Sequence, residues 1–99
     1  MRIGIIGGAE RVEVQYQRAA QAAGHELEFH AGHMSSRGAA SLERLVRRCD
    51  LVVIVTEVNS HAAVQRARGL ARSHGRTPVL CRRFGVQSLL ALMESQTAA

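Results

Sequence analysis

Ninety-nine residues make one small domain, with length for a single core and little stability to spare. An apolar share of 46% is far above that of a disordered chain, and no apolar run approaches the ~20 residues that span a bilayer. The net charge of +5 comes from 13 basic residues, every one an arginine, against 8 acidic ones, so an anionic partner is worth seeking.

The arginines are scattered along the whole chain, and only Tyr16, Phe29 and Phe84 are aromatic. That is too few for a base-stacking platform, so a nucleic-acid partner is not expected. The chain opens on the strand-like "MRIGII", which reads as a cytoplasmic protein with neither a signal peptide nor a membrane partner. Cys49 and Cys81 stand at no metal-motif spacing and form no disulfide framework; both read as small buried apolar residues.

The first strand is about Arg2–Ile6, closed by Gly7-Gly8. A helix follows from near Glu10 to Ala23, with Val12, Tyr16, Ala19, Ala20 and Ala23 on one face. Gly24 supplies its left-handed stop. His25–His30 alternates in polarity and reads as a half-exposed edge strand. After the loose "AGHMSSRG", Leu42, Leu45, Val46 and Cys49 form a helix stripe opposite Glu43, Arg44, Arg47 and Arg48. "LVVIV" after Asp50 is the most apolar run and reads as a central parallel strand. A third helix spans about Ser60–His74 and stops at Gly75. "TPVLC" is the fourth strand, and Val86, Leu89, Leu90 and Met93 mark a fourth helix. One α/β domain therefore covers residues 1–94, with a polar tail over 95–99.

Strands that alternate with helices imply right-handed crossovers and a parallel sheet. The expected fold is a four-stranded parallel sheet in the order 2-1-3-4 with helices on both faces, a truncated flavodoxin-like or Rossmann-like arrangement. Ligands of such sheets bind outside the carboxyl ends of the strands. The loops that meet there are residues 7–11, 30–33, 56–61 and 82–85. They hold His30, His33 and His61, three of the five histidines.

Several familiar chemistries are missing. Gly7-Gly8 lacks the spacing of a dinucleotide fingerprint, and the second strand ends in Phe29-His30 rather than an acid. Without lysine there is no phosphate-binding P-loop. His30, His33 and His61 could offer zinc three imidazoles, as in a three-histidine catalytic site. No nucleophile–base pair or carboxylate pair is legible, so an enzyme is not expected. Two helix starts, after Gly7-Gly8 and after Asn59-Ser60, with Arg11, Arg82 and Arg83 beside them, do suit a small phosphate or carboxylate.

Two stretches carry a family resemblance. "IGGAERVEVQYQRAAQAAGHELEFHAG" resembles the opening of the bacterial domain-of-unknown-function family 2325, in which a "VGG" turn leads to a helix with a tyrosine and then a strand ending in "HHxG". "DLVVIVTEVNSHAAVQRARGLARSHGRTPVLCRRFGVQSL" resembles its second half, with "VSH" or "VNH" after an apolar strand and a terminal "SL". Phe29 departs from that pattern, replacing the first histidine of the pair. The resemblance implies a homodimeric protein that binds haem b, with oxygen or another gas as its ligand. It implies His61 or His30 as the axial ligand, with His33 a local extra. Arg11, Arg82 and Arg83 are then the propionate partners, and Tyr16, Phe84 and Met34 line the pocket.

Two functional expectations lead, with a basic nucleic-acid-binding adaptor whose affinity would fall steeply with salt as a weaker third. The first is a small haem-binding sensor or carrier with a histidine axial ligand. The alternative is a regulatory module that binds a small anionic metabolite or nucleotide at the carboxyl ends of the strands, through Gly7, Gly8, Arg11, Tyr16, Asn59, Ser60, Arg82 and Arg83.

Overall fold

A computed structural model describes residues 1–97. The elements are β1 (Arg2–Ile6), a 3-10 turn (Glu10–Val12), α1 (Glu13–Ala22), β2 (Glu26–His30), α2 (Ser36–Arg48), β3 (Leu51–Val55), α3 (His61–Ser73), β4 (Val79–Cys81) and α4 (Val86–Thr97). All strand pairs are parallel, and the order is β2-β1-β3-β4, as expected.

The connections fix which helix lies on which face. The step from β1 to β2 runs one way along the sheet, and the steps from β2 to β3 and on to β4 reverse or cross it. Right-handed crossovers then place α2 and α3 together on one face and α1 on the other. α4 returns to the face of α1. The cores confirm it: Leu42, Leu45, Val46, Ala67 and Leu70 pack on Ile6, Val52 and Ile54. Tyr16, Ala20, Leu89 and Met93 pack on Ile3, Ile5, Val53 and Val55. Neighbouring residues of β3 thus point to opposite faces, as the period of 2 requires. Gly4 sits where a side chain on β1 would overlap Leu45 and Cys49, so α2 lies directly on the strand.

Some boundaries differ from the sequence reading. The first helix begins as a 3-10 turn, a common form at helix ends. β2 begins at Glu26, because the His25 amide donates to Ala20 at the end of α1. β4 is shortened to Val79–Cys81, preceded by Pro78, which has no amide hydrogen for a ladder. α4 continues through Ser95 and Gln96, and 98–99 of the expected tail lie outside the described residues. Among the described residues no helix is long and apolar enough to cross a membrane.

The register brings the strand ends level. Ile6 stands beside both His30 and Ile54, and Val55 beside Cys81, so the four following loops emerge together.

Candidate functional site

Three of the four loops, 7–11, 30–33 and 56–61, are tied to one another by groups that the sequence reading assigned to a ligand. The Gly7 amide donates to the His30 carbonyl at 2.7 Å, and the Gly8 amide to the Val58 carbonyl at 2.8 Å. Asn59 donates through Nδ2 to the Val55 carbonyl at 2.7 Å and accepts from the Ser60 amide at 2.8 Å. Ser60 donates through Oγ to the Gly32 carbonyl at 2.7 Å and accepts from the Ala63 amide at 3.1 Å, capping α3. Gly7, Asn59 and Ser60 therefore hold the loops together, with their polar groups already engaged. Gly32, at φ +95°, lies so close to Asn59 that a side chain there would overlap Oδ1.

His30 is the tightest of these ties. It is buried, and the Gly32 amide donates to Nδ1 at 3.0 Å. The ring proton then sits on Nε2, which donates to the Gly38 carbonyl at 2.7 Å in the first turn of α2. Both nitrogens are satisfied. His33 is exposed and bonded to Glu10 at 2.9 Å, and His61 is exposed at the first position of α3. The three histidines thus stand in three different settings, and no group of three or more His, Cys, Asp or Glu among the described residues could hold a metal ion. Within one chain they do not fit haem: one ring is spent, and the other two face solvent with no apolar slot between them.

A slot does exist, on the opposite face of the sheet. Between α1, the end of β3 and the β4–α4 loop lies a cleft of about 430 Å³, within the range of small-molecule sites. Val12, Tyr16, Val55, Phe84 and Val86 give it apolar walls, and Gly8 forms part of its floor. The Tyr16 hydroxyl donates to the Phe84 carbonyl, and its ring centroid lies 6.3 Å from that of Phe84. Burial pushes the Tyr16 hydroxyl above its usual pKa, so it stays a neutral donor. At the rim Arg83 Nε donates to Glu57 at 2.8 Å, and Arg82 stands exposed beside it. The Arg83 guanidinium holds the Glu57 carboxyl below its ordinary range. Gly85, Val86 and Gln87 bring the start of α4 to the same opening. Apolar walls, cations and a helix start converge on one cleft, and none of the five histidines lines it.

Of the residues expected to bind, Gly8, Tyr16, Arg82 and Arg83 line the cleft, whereas Arg11 is exposed outside it. Compared with known proteins, residues 2–96 match the model of a family described as an uncharacterized protein conserved in bacteria, DUF2325. The chain belongs to the DUF2325 family. It is also similar to UPF0751 proteins of Desulfitobacterium hafniense. One, from strain Y51, is 29% identical, with 97% of this chain and 94% of the relative covered. Another, from strain DSM 10664 / DCB-2, is 25% identical, with 99% and 97% covered. No solved structure matches the chain significantly. In the sequence of this DUF2325 protein neither Gln15 nor Gln87 was assigned to a ligand, and Glu57 stood only as one residue of the 56–61 loop, as readily a turn residue as a general base. The crossover rule places α1, and with it Gln15, on one face of the sheet, but α4 leads to no further strand, so the rule does not reach Gln87.

Proposed function

We propose that this DUF2325 protein is a small-molecule binding module whose ligand is an organic anion with a flat apolar body, held in the cleft between α1 and α4. One observation supports the reading above the rest: the aromatic and aliphatic walls of the cleft end in the Arg82–Arg83 pair. The body of the ligand packs on Phe84, Tyr16, Val12 and Val86, burying apolar area. Its phosphate or carboxylate accepts from Arg83, whose planar fork suits two-point contact, and from Arg82. The start of α4 adds the positive end of a helix dipole. Glu57 competes with the ligand for Arg83. Adenosine monophosphate supplies both a flat ring and a phosphate, so it is the probe. It should raise the melting temperature of the parent protein and leave that of Arg83→Ala unchanged. No rise in the parent would remove the reading.

Haem is a second reading, in the form of one haem b shared between two copies of the chain. The exposed imidazole of His61 favours it, since a second copy would have to supply the rest of the slot. Haemin titrated into the protein should then give a saturating Soret band that His61→Ala abolishes, and a dimer in solution. A spectrum identical to free haemin would exclude it.

A further inference from the structure

From Val58 to Met93 the chain has six arginines, Arg66, Arg68, Arg72, Arg76, Arg82 and Arg83, and no Asp or Glu. Most of that basic stretch is α3 and its exit. α3 buries Ala63, Ala67, Leu70 and Ala71. At 3.6 residues per turn the opposite face carries His61, Gln65, Arg68 and Arg72, and all four are exposed. The ion pairs among the described residues engage Arg2, Arg48, Arg83 and His33, not Arg68 or Arg72. The exposed acid of the neighbouring helix α2, Glu43, has Arg44 and Arg47 on its own helix beside it.

A second feature of α3 is independent of charge. Gly69 sits in the middle of the helix, where glycine costs stability relative to alanine. Beyond its chain neighbours and the backbone of its own helix, nothing lies within 4 Å of where its side chain would begin, so packing against other elements does not call for it. It leaves a hollow of about 220 Å³ between Gln65, Arg68 and Arg72. Arg68 and Arg72 also line a groove of about 410 Å³, with Thr77 and Leu80 among its other walls. Arg76, also at the groove, donates to the Cys49 and Arg47 carbonyls and so closes the end of α2.

The chemistry of this face selects its partner. Leu80 is its one large exposed apolar side chain, which is too little for the anchored centre of a protein interface. A second copy docked there face to face would set arginines against arginines. Arginine forks, a threonine hydroxyl and an accessible backbone are instead the groups that contact phosphates. Scarce aromatics forbid base stacking, but contacts to the backbone of a duplex need none.

We propose that the solvent face of α3 is a docking surface for the phosphodiester backbone of double-stranded nucleic acid, with Arg68 and Arg72 on successive phosphates and Gly69 allowing close approach. The contact is independent of base sequence and of any ligand in the cleft. A short fluorescent DNA duplex, followed by anisotropy at about 50 and about 200 mM salt, tests it. The parent should bind, and more weakly at the higher salt. Arg68→Ala with Arg72→Ala should weaken binding about tenfold or more and lower the salt slope by about two. Gly69→Leu should weaken binding while keeping or raising the melting temperature. Arg18→Ala with Arg37→Ala, which removes the same charge from α1 and α2, should stay within about twofold of the parent. Absence of binding at the lower salt, an equal loss in that control, or full binding by Gly69→Leu would each overturn the proposal.

Discussion

Tyr16 on α1 donates its hydroxyl hydrogen to the carbonyl of Phe84, sixty-eight residues away, and this bond joins the two walls of the cleft. The same tyrosine packs its ring between Phe29 and Phe84. Removing only the hydroxyl leaves the carbonyl unpaired in a half-buried setting. Tyr16→Phe should cost about 1 kcal/mol in denaturant unfolding and loosen the Phe84 wall, so that adenosine monophosphate binds more weakly. Unchanged stability and affinity would show that the bond positions nothing.

Glu57 and Arg83 make opposite predictions at one rim. Glu57 occupies the guanidinium that the ligand anion needs. Glu57→Gln should therefore tighten adenosine monophosphate binding by about threefold, the modest amount expected of an exposed pair, whereas Arg83→Ala should weaken it. Calorimetric titration of both variants checks the signs.

The histidines separate by stability. His30→Ala leaves the Gly32 amide without its acceptor, removes the tie from β2 to the Gly38 carbonyl of α2 and opens space between the two elements. It should cost about 2–4 kcal/mol. His33→Ala and His61→Ala, at exposed positions, should each stay within about 0.5 kcal/mol of the parent. Urea midpoints of the three variants test this order.

Cys49 sets an alkaline limit. Burial, helped by the nearby Glu28 carboxylate that accepts from its thiol, pushes its pKa up to about 12. A group whose folded pKa is raised favours the fold only while it stays protonated. The contribution is complete below the unfolded thiol value near ~9 and is lost as pH climbs toward about 12. Tyr16, also raised, adds loss in the upper part of that window. Urea unfolding at rising pH should show stability falling through this range, with a shallower fall in Cys49→Ala.

The fold was legible because its signals are local. β3 is an unbroken apolar run and β1 is one after Arg2, α2 shows a clean stripe from Leu42 to Cys49, and alternation of strands with helices leaves few topologies. The site was legible only in part. Arg83 and Tyr16 lie at strand and helix ends that the sheet order brings to one opening. The engagement of Asn59, Ser60 and His30 depends on carbonyls at Val55, Gly32 and Gly38, whose direction no residue pattern displays. Histidines near strand ends therefore read as ligands, although one of them fastens the second strand to the second helix.

In the proposed function the ligand sits between α1 and α4, away from the histidines. Amide NMR of the labelled protein during titration with adenosine monophosphate tests it most directly. Saturable shifts are expected at Gly8, Tyr16, Phe84, Gly85 and Val86, with His30, His33 and His61 unmoved. Shifts centred on His61 and His33, or none at all, would contradict it.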